Sequence, residues 1–221
     1  CIYMTLNCKG KLIDLNTPKV MGILNVTPDS FYDGGRFKDE KSILSQVEKL
    51  TTEGATFIDI GAYSSRPGAD FVSEEEELRR LIPIINLVTA SFPDSIISID
   101  SFRSRVIKES IEAGAAIAND ISGGQLDPLM FKTVGALGIP YIMMHMRGTP
   151  QTMQQMTNYS NVVQELYTYF SERIQLANTH QIKDIILDLG FGFSKTREQN
   201  FELLAAFDFY NHLNLPILAG V

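Results

Sequence analysis

Short apolar runs of about five or six residues recur along the chain, separated by longer stretches in which apolar positions return at i, i+3 and i+4. The short runs are VMGILN (20–25), TFIDIG (56–61), SIISID (95–100), AAIAND (115–120), PYIMMH (140–145), DIILDLG (184–190) and LPILAG (215–220), and each reads as a strand. SILSQVEKLTTEG (42–54), EEEELRRLIPIINLVTAS (74–91), SRVIKESIEAG (104–114) and NVVQELYTYFSERIQLANT (161–179) carry the helical spacing, with Gly54 and Gly114 placed as C-caps. Ahead of them, IYMTL and KLIDL flank Asn7-Cys8-Lys9-Gly10, the composition of a β-hairpin.

Strands joined by helical crossovers make either an open doubly wound sheet or most of a barrel. Polar residues decide between them: Asn25, Gly61, Asp100, Asp120, His145 and Asp188 all fall at or beside strand C-termini, where barrels of alternating strands and helices place their active-site loops. The expected fold is therefore α/β, a (β/α)8 TIM barrel with an N-terminal β-hairpin, read as a single domain over residues 1–221. Such barrels run to about 250 residues. Because the seventh strand is followed at once by Val221, the eighth βα unit is expected to be missing from this chain, and the start at Cys1 rather than Met suggests a longer gene product.

With 44% hydrophobic and 20% charged residues the chain is neither disordered nor built of membrane-spanning runs. The net charge of −7 disfavours nucleic acid and acidic membrane as partners. Cys1 and Cys8, both near the start, cannot staple a core of this size, and the first fifteen residues hold no uninterrupted apolar stretch of signal-peptide kind. A reducing cytoplasm is the expected location.

The loop after the first strand, Asn25 to Phe37, offers hydroxyls, carboxylates, an arginine and paired glycines. These suit a mobile lid that handles phosphate through a metal ion, and equally a solvated turn. After the second strand, Ser64, Ser65 and Arg66 offer donors to an anion, though a surface arginine before Pro67-Gly68 is a common turn. Asp59, Asp100, Asp120 and Asp188 stand in apolar context, where an unpaired charge is costly, so each is expected to face a partner or a ligand. Grouped around Asn119, with Met144, Phe191 and Phe193 as walls, they suit a flat heterocycle rich in N–H groups, of the guanine or pterin kind. Gly190-Phe191-Gly192 alone says little. His145 is expected to be a hydrogen-bonded structural residue rather than a base, His180 and His212 to lie at the surface, and so few histidines argue against zinc.

In order and spacing, NVTPDSFYDGGRF, SSRPGADFVSEEEELRR, SIDS, NDISGG, MHMRGTPQTMQ and DLGFGF resemble the dihydropteroate synthase family over nearly the whole chain. The resemblance implies a usually dimeric (β/α)8 barrel that joins p-aminobenzoate to 6-hydroxymethyl-7,8-dihydropterin diphosphate and releases pyrophosphate. Residue by residue, it implies that Asn25 is linked to Mg²⁺, and that Asp29, Phe31 and Asp33 lie on a mobile loop closing over pyrophosphate and aminobenzoate. Ser65 and Arg66 match the second loop; Asp100, Asn119 and Asp188 match the pterin-binding set, with Ile121, Met144 and Phe193 as apolar neighbours. Asp100, assisted by Asp33 and Phe31, is the candidate for catalysis, as a charge that stabilises a cation developing on the ring. Ser65 replaces a threonine usual in the family, Tyr63 a glutamate and Leu189 a proline, while the family's S-R-K-S and R-x-H motifs are expected beyond Val221. A methyltransferase of the pterin-binding barrel kind, or a pterin-binding module without activity, are the alternative readings.

Overall fold

The structure is a computed structural model that describes residues 3–26, 32–33, 36–37, 40–62 and 71–220, with 32–33 and 36–37 given by their backbone. The chain opens with an antiparallel hairpin of β1 (Thr5–Cys8) and β2 (Lys11–Asp14). Its two-residue turn needs left-handed backbone at both Lys9 (φ 53°) and Gly10 (φ 82°), and the Asn7 side chain steadies it by accepting from the Gly10 N–H at 2.8 Å. Alternation along the hairpin sends Leu6, Cys8 and Ile13 inward.

The main body alternates strand and helix. It runs through β3 (Val20–Asn25), the short antiparallel pair β4 (Tyr32–Asp33) and β5 (Arg36–Phe37), α1 (Glu40–Thr52), β6 (Ala55–Gly61), α2 (Glu74–Ser91) and β7 (Ile96–Asp100). It continues with α3 (Ser104–Ala113), β8 (Ile117–Asp120), α4 (Met130–Leu137), β9 (Tyr141–Met144), α5 (Val162–Thr179), β10 (Ile185–Asp188), α6 (Arg197–Ala205) and β11 (Ile217–Leu218). Seven strands form one parallel sheet in the order β11-β10-β9-β8-β7-β6-β3, so every crossover joins neighbouring strands, as in an open barrel.

Helix starts follow local chemistry. The Ser73 side chain accepts from the Glu76 N–H and four glutamates fill the first turn of α2; Asn161 caps α5; Thr196 and Gln199 close a reciprocal capping box on α6. Gly54 (φ 108°) and Gly114 (φ 129°) provide the turns after α1 and α3 that their positions suggest. Two helices carry no clear helical spacing in the sequence. The eight residues of α4 are nearly continuous in apolar character, and α6 buries only Leu203 while leaving Phe201 and Leu204 exposed. The strand expected over 215–220 is shorter, Ile217–Leu218, at one edge of the sheet.

Period-two alternation divides the sheet into two layers. Leu24, Ile58, Ile60, Ile97, Ile99, Ala118, Tyr141, Met143, Ile185 and Leu187 face outward and pack under helical residues such as Val47, Leu81, Ile85 and Phe170. On the inner face, Phe57, Ile96, Ile117, Ile142 and Ile186 join Leu6, Cys8 and Ile13 of the hairpin, which seals the N-terminal end of the strands. Among the described residues no helix is long and apolar enough to cross a membrane.

Candidate active site

Two residues further along the same strands, the inner face changes from apolar to polar. β6 places Asp59 and Gly61 there, β7 Ser98 and Asp100, β8 Asn119, with Ile121 just after the strand, and β10 Asp188; Asn25 ends β3 beside Gly61. Register aligns Asn25 with Gly61, Gly61 with Asp100 and Asp100 with Asn119, so one row of the barrel mouth carries all four. Gly61 leaves room for this row: a Cβ on it would lie 3.1 Å from Asp100 Cβ and 3.3 Å from its Oδ2, tighter than most real contacts.

Asn119 Nδ2 donates to both oxygens of Asp59 at 3.3 Å, and the Gly190 N–H donates to Asp188 Oδ1 at 2.9 Å. Burial raises all three inward carboxylates above the ordinary range. Asp59 is pushed up to about 6 against its bond from Asn119, with the charge of Asp188 adding to the rise. Asp188 is also pushed up to about 6, against the Gly190 N–H and the Lys195 charge. Asp100 is raised well above the usual carboxylate value by burial, then by the charges of Asp59, Glu77, Asp120 and Asp188. Acidic groups crowded this way favour a ligand that brings N–H donors or positive charge.

Ile121, Met144, Met146 and Met153 form a separate apolar cluster against which Phe102 and Phe193 pack. Three of the anticipated apolar neighbours, Ile121, Met144 and Phe193, thus stand together. The structure also brings Asp100, Asn119 and Asp188 to the same mouth. Asp29, Phe31, Ser65 and Arg66 lie outside the described residues, as does Tyr63, and Asp33 is described by its backbone in β4 alone.

Two expectations need correction. Asp120 does not converge on the mouth: it follows Asn119 directly, so alternation turns it to the outer face. There it accepts from the Ser122 N–H (2.9 Å), Ser122 Oγ (2.7 Å), the Gly124 N–H (2.8 Å) and the Tyr141 hydroxyl (2.7 Å). It is a structural acceptor that shapes the turn after β8. His145, expected to be a hydrogen-bonded structural residue, is buried, and its ring Nδ1 has no hydrogen-bond partner among the described residues. It packs edge-on against Tyr169 with ring centroids 4.8 Å apart. Burial, followed by the nearby Lys195 and Arg147 charges, pushes its pKa down to about 2 and keeps it neutral.

Asp59, grouped with the other carboxylates by its apolar context, does lie on the inner face, as alternation from Gly61 requires. Lys195 is the residue beside the site that sequence reasoning left out. Nothing in the pattern singles out a lysine in a turn.

Fold and site together define an open α/β barrel whose mouth groups carboxylates and an amide against an apolar wall. Residues 21–221 match the family described as "Pterin binding enzyme". Dihydropteroate synthase of Haemophilus influenzae is 42% identical over 220 residues, spanning 99% of this chain and 79% of that protein. Among solved structures, the Yersinia pestis dihydropteroate synthase with a sulfonamide drug complex is 40% identical (TM-score 0.90; 99% of this chain, 79% of that one). The Xanthomonas albilineans dihydropteroate synthase with 4-aminobenzoic acid is 38% identical (TM-score 0.90; 99% and 78%). The chain belongs to the pterin-binding enzyme family, as one of its dihydropteroate synthases.

Proposed function

We infer that this chain joins 6-hydroxymethyl-7,8-dihydropterin diphosphate to p-aminobenzoate, the transferase step of folate biosynthesis. The observation that carries this reading is the inward group of Asp100, Asn119 and Asp188 beside Ile121, Met144 and Phe193 in a chain of this family. A dihydropterin ring presents adjacent N–H donors on one edge and apolar faces above and below. Asp188 accepts from that edge, Asn119 pairs with the ring through its amide, and the apolar cluster covers a face.

In the reaction the methylene carbon loses its bond to the diphosphate oxygen, pyrophosphate leaves with the electron pair, and the aniline nitrogen forms the new C–N bond and releases a proton. Positive charge grows on the ring as the C–O bond breaks. Asp100, set at the mouth by β7, stabilises that charge without moving, so its effect belongs to the transition state more than to ring binding. Ser65 and Arg66 hold the anionic partners, and Asp29, Phe31 and Asp33 close over pyrophosphate and aminobenzoate and exclude water from the cation.

Mg²⁺ fits Asn25, which ends β3 exposed at the mouth and offers a neutral amide oxygen. An octahedral Mg²⁺ held by one protein oxygen would take water and phosphate oxygens as most of its other ligands. When bound, the ion neutralises charge on the departing pyrophosphate. The same reading assigns the protein to the cytoplasm and to a homodimer, for which exposed Phe201, Leu204 and Phe209 offer apolar surface. It also makes sulfonamides competitors of aminobenzoate, whose aniline they share.

The test is to supply the pterin diphosphate and p-aminobenzoate and measure pyrophosphate and dihydropteroate together. Equal release of both, abolished by omitting aminobenzoate or chelating Mg²⁺, is expected. Pyrophosphate without dihydropteroate, or neither product, would overturn the reading.

A further inference from the structure

Behind the polar mouth lies a buried cation to which the mechanism above gives no task. Lys195, 8% exposed, donates from Nζ to the carbonyls of Phe193 (2.8 Å), Gly190 (3.0 Å) and His145 (3.3 Å). Those oxygens come from the residue after β9 and from both ends of the turn after β10. An ammonium has three tetrahedral donors and here all three have acceptors, an arrangement that neither planar arginine nor a neutral side chain reproduces.

The turn it holds is one that backbone preference alone does not favour. Gly190 (φ 69°), Gly192 (φ 83°) and Ser194 (φ 51°) are all left-handed. Gly190 lies so close to β9 that a Cβ would sit 2.2 Å from the His145 oxygen. Within the turn, Phe193 N–H donates to Gly190 O at 3.0 Å, and Ser194 Oγ accepts from the Arg147 N–H at 2.9 Å. The turn carries two groups of the ring site: its Gly190 N–H holds Asp188 Oδ1, and its Phe193 packs into the apolar wall.

We propose that Lys195 is a positioning residue: by binding three carbonyls it fixes the Gly190–Ser194 turn and so aims the Asp188 carboxylate and the Phe193 ring at the pterin. The inference rests on the reading of Asp188 and Phe193 as ring contacts. Burying a lysine is costly, and packing alone does not call for one here, since an apolar side chain fills space at lower cost. Its charge also helps keep Asp188 an acceptor. Burial pushes the lysine's own pKa down to about 7; Asp188 from β10 opposes that fall and Arg147 from the loop after β9 adds to it, with neutral His145 beside them, so the three carbonyls hold it through geometry as an ammonium donor.

The experiment is calorimetric titration of 6-hydroxymethylpterin into the wild type, Lys195→Met, Lys195→Gln, Asp188→Ala and the Lys195→Gln/Asp188→Ala double variant. Lys195→Met is expected to bind about tenfold or more weakly. Lys195→Gln, which keeps two donors and carries the test if the methionine variant does not fold, should bind severalfold more weakly. On the Asp188→Ala background the glutamine substitution should cost less than twofold, because the residue acts through Asp188, and KM for p-aminobenzoate should stay within twofold throughout. Unchanged affinity in Lys195→Gln, or an equal loss with and without Asp188, would overturn the inference while leaving the ring site standing. Full affinity in Asp188→Ala would overturn the ring site itself, and the inference with it.

Discussion

Two positions separate Phe57 from Asp59 on β6, Ile96 from Ser98 on β7, Ile117 from Asn119 on β8 and Ile186 from Asp188 on β10, with one outward residue between them. Both members of each pair face the barrel interior, yet the first packs against the hairpin in an apolar plug, while the second belongs to a group rich in carboxylates. The same sheet geometry serves both ends, so the difference lies in side-chain chemistry alone. At the sealed end burial stabilises the fold. At the open end burial works against it, by raising the pKa values of Asp59, Asp100 and Asp188 and leaving acceptor capacity that a ligand can use.

If that division is right, mutations at the two ends separate stability from binding. The largest effect is expected at the plug: Ile117→Ala, at a fully buried position, should cost about 2–5 kcal/mol of unfolding free energy in a denaturant titration while leaving pterin affinity within twofold. Asp188→Ala should do the reverse, weakening the pterin by about 1.5–3 kcal/mol, tenfold or more, with a melting temperature no lower than wild type because a carboxylate disfavoured by burial has been removed. A lower melting temperature with intact affinity would place Asp188 in the frame of the fold instead. Asp120→Asn sharpens the contrast, since this residue stands at the open end of its strand but on the outer face. It should lose about 1–3 kcal/mol of stability through its bonds to Ser122, Gly124 and Tyr141 and leave pterin affinity unchanged.

The smallest effect is a pH dependence. Asp59 and Asp188 titrate near 6 in the fold and near 4 in the unfolded chain, so the folded state binds more protons between those values. Their contribution to stability is complete below about pH 4 and is lost as pH rises through about 6. The ligand-free melting temperature should therefore fall across that window, and Asp59→Asn should flatten the slope. An unaltered slope would show that Asp59 does not titrate in this window.

Much of this was visible in the residues before the fold was known. Apolar runs ending in Asp or Asn located β7, β8 and β10 together with Asp100, Asn119 and Asp188, because a buried parallel strand leaves polar character only where the chain emerges. Asp120 was grouped with them because proximity to a strand end does not say which face a side chain takes; only the period of two, counted from Asn119, does. Asp59 was grouped with them too, and the same count, taken from Gly61, does turn it inward. α6 gives no periodic signal because it buries one residue, and nothing in the sequence pattern marks Lys195, whose carbonyl partners come together only when the turn after β10 folds around it. The two loop motifs were legible as chemistry, yet residues 27–31 and 63–70 lie outside the described part of the chain.

The central claim is that the acidic mouth serves the transition state, and Asp100→Asn tests it most directly, because the amide keeps shape and loses charge. Single-turnover formation of dihydropteroate, compared with calorimetric affinity for the pterin, should show turnover reduced roughly 10²-fold and affinity changed far less. Turnover equal to wild type, or a loss of affinity that accounts for the whole effect, would contradict it.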